Sequence, residues 1–299
     1  MILVDAAPGS AAGTAYAAAL AGEQVAFASD GNAEILIAGR NVDALLAANP
    51  ALRWVAFWNA GIDKSITPLL LERIAQGLLV TNASGIHGAQ MAEHTIGLML
   101  AHTRGIATSV RNQERGVWDR SPHEGHLQEL SEQSLGVVGM GHIGQALAMR
   151  AEAFGMRVVG VRRTHTRDEL AAVLACDHVV VFLPLTPETH HFIGREELAL
   201  MKPSGILYNL GRGPVVDEVA LVDALARGAI AGAGLDVFEQ EPLPRESPLW
   251  TMKNVVLTPH TAGLTPAYYR RTAALFVANL ARYRRGDSLA QRHRTDRGY

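Results

Sequence analysis

The sequence predicts an α/β protein with two doubly wound parallel-sheet domains. Short apolar runs rich in β-branched residues alternate with Ala- and Leu-rich stretches of helical length. That alternation is typical of parallel strands whose two faces are covered by helices. The chain has 299 residues, which is more than a single hydrophobic core usually serves. Because a second series of apolar runs starts at Ser134, we expect two separate sheets.

The first series of strand candidates lies in a domain that we place at residues 1–93. Helical stretches such as ITPLLLERIAQG separate its members. The strand candidates are MILVD, QVAFAS, EILIAG, LRWVAFW and LLVTNAS. A late helical stretch, AYYRRTAALFVANLARYRRG, comes after the last strand of the second series, and we expect it to pack back onto the first domain.

The second domain is placed at residues 94–264 and contains six near-continuous apolar runs. They are LGVVGMG, RVVGVRR, HVVVFLP, GILYNLG, IAGAGLDVF and NVVLTPH. This series has the pattern of a dinucleotide-binding, Rossmann-type sheet. Ahead of it, MAEHTIGLMLAHTRGIATSVRNQERGVW carries apolar residues at helical spacing as far as Gly116. We therefore expect one long helix there, bridging the domains from a border near Glu93.

Composition limits the classes of partner. Apolar residues make up 48% of the chain, charged residues 19%, and the formal net charge is -2. A chain without excess positive charge lacks the electrostatic footprint for nucleic acid or anionic membranes. The start MILVDAAPGS resembles no secretory leader, and no apolar run is long enough to span a bilayer. These features predict a cytoplasmic protein. The single cysteine, Cys176, is interpreted as a core residue, with a reactive thiol as the alternative.

A glycine pattern follows the first strand of the second series. Gly139, Gly141 and Gly144 form GMGHIG, with His142 and Ile143 inside the motif, between the apolar run LGVV and the helical run QALAMRAEAFG. In that position the first glycine permits a tight turn, the second a close approach of backbone to pyrophosphate, and the third close helix packing. The strand before and the helix after favour a dinucleotide site over a glycine-rich turn without ligand.

The residues at the end of the next strand indicate which dinucleotide the protein binds. About 20 residues after the glycines, an NAD enzyme usually has an acidic residue for the ribose 2′-hydroxyl. Here that place holds Arg162, followed by Arg163 and Thr164. Guanidinium groups bind phosphate in a bidentate fashion, so the loop favours the 2′-phosphate of NADP. NAD stays possible, because an ordinary solvated basic loop would have the same composition.

Three polar residues follow the carboxyl ends of strands in the second series. They are Arg212 after GILYNLG, Glu241 after AGLDVF and His260 after NVVLTP. Ligands of open α/β sheets bind at that edge. Reduction of a 2-oxo acid needs a cation for the carboxylate, a proton donor for the carbonyl oxygen, and a partner that favours the charged donor. Arg212, His260 and Glu241 match these roles, although each alone could be a turn, core or solvated residue.

With these motifs in order, the chain resembles the D-isomer-specific 2-hydroxyacid dehydrogenases almost from end to end, and in particular glyoxylate and hydroxypyruvate reductases. The segments that carry the resemblance are NASGIHGAQMAEHTIGLML, GMGHIG, LPLTPETHHFI, LGRGPVVDEVALVDAL, AGLDVFEQEPLP and TPHTAGLT. The resemblance implies an oxidoreductase that interconverts a small 2-oxo acid and its D-2-hydroxy acid with NADPH or NADH. It also implies a flavodoxin-like substrate domain completed by residues 265–299, and a homodimer formed through the bridging helix region.

The same resemblance assigns individual residues. It implies that Arg212 binds the substrate's carboxylate and carbonyl, that Glu241 pairs with His260, and that Asp236 contacts the nicotinamide amide. Further cofactor contacts are implied at Pro184 and Thr189. Substrate contacts are implied at Ala60, Gly61, Arg212 and His260.

Some features depart from the family or have weaker interpretations. The connection from Arg163 to Asp168 is short, and Trp58 and Asn59 stand before AGID where smaller residues are common. No metal site is expected, because HEGH at 123–126 lacks the spacing that puts two histidines on one helical face. His190 and His191 are adjacent and expected to point apart. A protein that senses the cofactor without turnover is the alternative to an enzyme.

Overall fold

The computed structural model describes residues 1–293, so the part of the predicted C-terminal completion at 294–299 lies outside the described residues. The chain divides into two compact units. The first contains Met1–Ile86 together with the chain from Thr265 onward, and the second is His87–Leu264. Glu93, which the sequence suggested as the border, lies seven residues beyond Ile86 and inside a helix of the second unit.

The first unit contains a five-stranded parallel sheet in the order β2-β1-β3-β4-β5. This is the flavodoxin-like order, so the predicted fold class is confirmed for this unit. Each of the five predicted apolar runs supplies one strand. The strands are β1 Ile2–Val4, β2 Val25–Ala26, β3 Ile35–Ala38, β4 Trp54–Phe57 and β5 Leu79–Thr81, and the helices between them are α1 Ala11–Ala19, α2 Asp43–Ala48 and α3 Pro68–Ala75.

The second unit contains a six-stranded parallel sheet in the order β11-β10-β9-β8-β6-β7, which confirms the second predicted sheet. Its strands are β6 Ser134–Val138, β7 Arg157–Val161, β8 His178–Val181, β9 Ile206–Asn209, β10 Gly232–Leu235 and β11 Val255–Leu257. Its helices are α4 Gly88–Thr103, α5 Ile106–Glu114, α6 His142–Ala153, α7 Arg167–Leu174, α8 Arg195–Ala199 and α9 Glu218–Ala226. The strand order reverses between β6 and β8, which is where doubly wound sheets bind their ligands.

The prediction of one long helix ahead of this sheet was wrong. Helix α4 ends at Thr103, and α5 begins only at Ile106. Between them Gly105 has φ of 63°, a left-handed conformation that ends a helix and that glycine adopts without steric cost. Apolar periodicity continued through the break because both helices present an apolar side, so the pattern alone did not reveal it.

Helix α10, Tyr268–Arg285, belongs to the first unit and packs against α1. Side chains alternate along each strand of this sheet, so Ile2 and Ile35 pack with α1 and α10, whereas Leu3 and Leu36 pack on the other side with α2 and α3. The two faces of the sheet are thereby both buried, as a doubly wound fold requires. Within residues 1–293, none of the helices is long and apolar enough to cross a membrane.

Cys176 lies at the junction of α7 and β8 and is only 1% exposed. Burial raises the pKa of its thiol, which disfavours the reactive thiolate. The structure therefore agrees with the interpretation of this cysteine as a core residue.

Candidate active site

The carboxyl ends of three adjacent strands bring the predicted catalytic residues to one edge of the second sheet. Leu235 at the end of β10 pairs with Asn209 at the end of β9 and with Leu257 at the end of β11. Arg212 follows β9, Glu241 follows β10 and His260 follows β11. Because the strands are parallel and in this register, the three residues leave the sheet from neighbouring positions on the same edge.

His260 and Glu241 form a hydrogen-bonded pair. The Nδ1 atom of His260 lies 2.9 Å from Oε2 of Glu241. The second carboxylate oxygen accepts a hydrogen bond of 3.3 Å from the backbone N–H of Phe238, which orients the carboxylate. The imidazole is 47% exposed and the carboxylate 24% exposed, so the histidine is open to a ligand while its partner is more enclosed. The carboxylate accepts a hydrogen bond from Nδ1 and so fixes the orientation of the ring.

Arg212 lies on a loop that packs directly against the loop carrying Glu241. A Cβ atom built on Gly213 would lie 1.8 Å from the carbonyl oxygen of Phe238, so only glycine permits this approach of two backbones. The side-chain amide of Asn209 donates to the carbonyl oxygens of Arg212 and Gly213 and holds the loop. The Arg212 guanidinium is half-buried and donates through Nη1 to the Gly211 carbonyl, at 2.9 Å.

Asp236 holds the segment that carries His260. The residue is 1% exposed, and its carboxylate accepts hydrogen bonds from the Thr258 hydroxyl and from the N–H groups of Thr261 and Ala262. Its backbone carbonyl accepts from the N–H of His260, at 2.8 Å. The sequence pointed to Asp236 only as a contact of the nicotinamide. It did not single out Thr258, although this residue stands in the quoted segment TPHTAGLT.

The glycine turn after β6 has the geometry that the motif predicts. Gly139 has φ of 106°, and a Cβ there would lie 3.0 Å from the backbone of Phe182. A Cβ on Gly144 would lie 2.7 Å from the carbonyl oxygen of Gly139, so the third glycine lets α6 pack onto the turn. Gly141 has nothing within 4 Å of its Cβ position. The turn is therefore tightly packed against the rest of the unit at Gly139 and Gly144, whereas there is free space beside Gly141.

These features fit a dinucleotide cofactor. Gly141 is the N-cap of α6 and provides no side chain to its first turn, which begins with His142, Ile143 and Gly144. Backbone N–H groups at such a helix end suit an anionic pyrophosphate. After the neighbouring β8, Pro184 and Thr189 lie in one closed loop, because the Thr189 hydroxyl donates to the Pro184 carbonyl at 2.6 Å.

Arg162, Arg163 and Thr164 lie exposed directly after β7. The loop is short, because Thr166 already caps α7 through a reciprocal pair of hydrogen bonds with Glu169. His165 donates from Nδ1 to the carbonyl oxygen of Arg162, at 2.7 Å. The two arginines consequently stand beside the carboxyl end of β7, next to the glycine turn after β6, where a ribose 2′-phosphate would be expected.

Ala60 and Gly61, the predicted substrate contacts of the first unit, follow the carboxyl end of β4. Trp58 occupies the space above Gly39, where a Cβ would lie 2.7 Å from the indole nitrogen. The Tyr268 hydroxyl donates to the Trp58 carbonyl at 2.7 Å. The unusual Trp58 is therefore accommodated by a glycine and held by α10, so the backbone leading to Ala60 is well anchored within its unit.

The histidine clusters differ from expectation. His190 and His191 do not point apart, since their ring centroids lie 4.0 Å from each other. The reason is that His191 has φ of 52°, which turns its side chain back towards its neighbour. Its Nε2 lies 2.7 Å from Oε1 of Glu239, and with Asp217 these residues place potential ligand atoms within 4.8 Å of one another. In the HEGH segment, His123 instead contacts the Ser109 hydroxyl, at 3.2 Å.

The chain is similar to known proteins of one family. Residues 96–262 match the family model described as D-isomer specific 2-hydroxyacid dehydrogenase, NAD binding domain. The chain is 39% identical to a glyoxylate reductase of Korarchaeum cryptofilum over 80% of this chain and 75% of the relative. It is 40% identical to glyoxylate/hydroxypyruvate reductase B of Serratia proteamaculans over 81% of this chain and 78% of the relative.

A solved structure covers the whole chain. It is the D-isomer specific 2-hydroxyacid dehydrogenase of Xanthobacter autotrophicus in complex with NADPH and MES, which is 33% identical to this chain. The two structures superpose with a TM-score of 0.86, and the match covers 100% of each chain.

Proposed function

Because this chain belongs to the D-isomer-specific 2-hydroxyacid dehydrogenases, we propose that it reduces glyoxylate or hydroxypyruvate with NADPH. Family membership makes it an NAD(P)-dependent oxidoreductase that acts on a small 2-oxo acid and its D-2-hydroxy acid. The choice of substrate within that class is supported by relatives named for glyoxylate and hydroxypyruvate. The single observation that carries the proposal is the His260–Glu241 pair at the sheet edge that also bears the glycine turn.

The proposed catalytic roles follow from the hydrogen bond between His260 and Glu241. Because Nδ1 of His260 is engaged by Glu241, we assign Nε2 as the atom that gives a proton to the substrate's carbonyl oxygen. Glu241 keeps the ring oriented and favours its protonated form. Arg212 binds the substrate carboxylate and polarises the carbonyl through its guanidinium. When bound, the reduced nicotinamide supplies the hydride.

The residues proposed to hold the cofactor are distributed around the glycine turn. The backbone of Gly141, His142, Ile143 and Gly144 binds the pyrophosphate. Arg162, Arg163 and Thr164 bind the ribose 2′-phosphate, and Pro184, Thr189 and Asp236 contact the remainder. The preference for NADPH is supported by the exposed arginine pair and by the NADPH bound to the Xanthobacter structure.

The test of this function is initial-rate kinetics on a panel of 2-oxo acids with each cofactor, followed by chiral analysis of the product. The proposal expects the highest kcat/KM with glyoxylate or hydroxypyruvate and, for hydroxypyruvate, the D-product. Binding of NADPH without turnover of any 2-oxo acid would instead indicate a cofactor sensor. That alternative is not favoured, because the relatives are named as reductases.

The proposal extends to a homodimer formed through the region of α5 and the segment after it. This region exposes several large apolar side chains, and Trp118 is 94% exposed. Large apolar side chains that are exposed within one short stretch of chain favour an interface. The other members are Ile106, Val110, Val117 and Leu127. Light scattering should give a dimer mass for the wild type and a larger monomer fraction for Trp118→Ala.

A cytoplasmic location is also part of the proposal. Enzymes that use NADPH depend on the intracellular pool of this cofactor. Fractionation of the native cells followed by an activity assay checks it, and activity confined to a secreted or membrane fraction would contradict it.

A further inference from the structure

The backbone at His260 needs an explanation, because the residue has φ of 53°. Residues other than glycine rarely adopt this left-handed conformation, and they keep it only where their surroundings over-determine it. At His260 the conformation is held by hydrogen bonds that residues before and after the histidine donate to Asp236. The Asp236 carboxylate accepts from the Thr258 hydroxyl at 2.6 Å, from the Thr261 N–H at 2.9 Å and from the Ala262 N–H at 3.0 Å.

The Asp236 carboxylate determines which groups in this network donate their hydrogen bonds and which accept them. An ionised carboxylate only accepts hydrogen bonds, so the hydroxyl proton of Thr258 is directed to Asp236. The Thr258 oxygen can then accept, and Nε2 of His94 lies 3.0 Å from it. His94 therefore donates its Nε2–H to Thr258, and the chain of bonds runs from His94 through Thr258 to Asp236. His94 Nε2 also lies 3.9 Å from the Asp236 carboxylate.

Helix α4, which carries His94, is attached to strand β10. His94, Leu98 and His102 are spaced four residues apart and thus lie along one side of the helix. A Cβ on Gly234 of β10 would lie 3.3 Å from Cβ of Leu98, and His102 donates from Nε2 to the carbonyl of Ala233 at 3.1 Å. The helix is thereby fixed to β10 at two points, and His94 extends the attachment to the segment after β11.

We propose that His94 and Thr258 are positioning residues for His260. They hold the Asp236 carboxylate in the orientation that fixes the backbone on both sides of His260. The hydrogen bonds described above connect them to Asp236, and not to Glu241 or to the glycine turn. The proposal rests on the proposed function, because it assigns the residues to proton donation by His260. Their loss should therefore reduce turnover much more than it weakens the binding of NADPH, because most of the other proposed cofactor contacts lie at the glycine turn and at the arginines after β7.

The first experiment separates the hydroxyl from the shape of Thr258. Thr258→Val removes the hydroxyl at constant volume, and we expect kcat to fall about tenfold or more, since small misplacements of catalytic groups have effects of that size. The KM for NADPH should change less than about threefold, and Thr258→Ser should restore most of kcat. The control is Thr251→Val, because the Thr251 hydroxyl donates to the Pro248 carbonyl in an exposed turn. This control should keep the wild-type kcat.

The second experiment tests whether His94 acts through Thr258. His94→Phe keeps a ring but removes the donor, and we expect a smaller loss of kcat than in Thr258→Val. The double variant should resemble Thr258→Val alone, because residues in one network have non-additive effects. Additive losses, an undiminished kcat in Thr258→Val, or no recovery in Thr258→Ser would each overturn the proposal.

A third measurement does not depend on turnover. Hydrogen exchange of the Thr261 and Ala262 amides should be faster in Thr258→Val and His94→Phe than in the wild type and Thr258→Ser, because these amides bond to Asp236. Unchanged exchange would overturn the inference. A wild type that reduces no 2-oxo acid would refute the proposed function, and the exchange rates would still decide whether His94 and Thr258 hold the segment.

Discussion

At the scale of single residues, the proton donor is the most direct point to test. His260→Asn keeps a polar side chain at the strand end but cannot carry the proton. We expect kcat for 2-oxo acid reduction to fall about a hundredfold or more, which is the usual contribution of general acid catalysis. Titration of NADPH fluorescence should show that the cofactor still binds. A His260→Asn variant with wild-type turnover would contradict the assignment.

The proposed mechanism assigns the pH dependence of activity to the pairing of His260 with Glu241. In the proposed mechanism Glu241, whose Oε2 lies 2.9 Å from Nδ1 of His260, stabilises the charged form of the ring that reduction requires. In Glu241→Gln the basic limb of the kcat/KM profile for reduction should move to lower pH, because the imidazolium loses its proton more readily. The reverse reaction, which needs neutral imidazole, should become active at lower pH.

Glu239→Gln is the matched control for this pH dependence. Glu239 belongs to the same loop but bonds to His191, at 2.7 Å, and not to His260. Its replacement should leave both profiles near those of the wild type. An unshifted profile for Glu241→Gln, or the same shift in both variants, would refute the pairing as the source of the pH dependence.

The proposed preference for NADPH assigns the 2′-phosphate to the exposed arginines after β7. In the double variant Arg162→Ala and Arg163→Ala, we expect the KM for NADPH to rise about tenfold or more, equivalent to ~1.4 kcal/mol. The KM for NADH should change much less, because NADH has no 2′-phosphate. The control is Arg167→Ala, at the first residue of α7. A wild type that prefers NADH tenfold would show that the arginines do not select the cofactor.

At the scale of elements, the packing of one loop on another fixes the relation between Arg212 and Glu241. In Gly213→Ala the added methyl group would meet the Phe238 carbonyl at 1.8 Å, so the two loops must separate. We expect the free energy of unfolding to fall by about 2 kcal/mol or more, as for other overpacked sites. The value of kcat should fall as well, because the loops carry Arg212 and Glu241, two of the residues proposed to be catalytic.

Gly97→Ala is the control for this packing effect. Gly97 lies within α4, and its Cβ position has nothing within 4 Å. The substitution should raise the unfolding free energy by roughly 0.5 kcal/mol, since glycine inside a helix is unfavourable. Denaturant unfolding of both variants measures the two effects. Equal stability of Gly213→Ala and the wild type would show that the loops do not need this close approach.

At the scale of the whole molecule, one buried histidine and one partly buried histidine make stability depend on pH. His178 is fully buried between Gln133 and Tyr208, and burial lowers its pKa from 6.5 to about 4. Burial also lowers the pKa of His102. The unfolded chain binds these protons first, so stability is present above pH 6.5 and is lost as pH falls towards 4.

The loss attributable to His178 should be on the order of 3 kcal/mol across that window. The free energy of unfolding, measured by denaturant titration at a series of pH values, gives the slope. His178→Gln should flatten it, because glutamine does not titrate. His123→Gln, at a ring that contacts exposed Ser109, should leave the slope as in the wild type. A wild-type slope in His178→Gln would contradict the assignment.

Much of the fold and of the candidate site could be predicted from local sequence. Apolar runs of strand length mark β1 to β11, because a parallel strand buried on both faces must be apolar throughout. The glycine turn and the residues at strand ends are equally local, since each is defined by its distance from a strand. Arg212, Glu241 and His260 therefore reach one edge as soon as the strands are known to be parallel and adjacent.

Other properties are decided only by the tertiary structure, because they depend on atoms that are distant in sequence. His94 bonds to Thr258 across 164 residues, and no pattern along the chain indicates that contact. The left-handed backbone of His260 and the near-stacked rings of His190 and His191 likewise follow from the packing around them. Local pattern thus determines which elements form and which groups they present, whereas tertiary packing determines the orientation in which those groups are held.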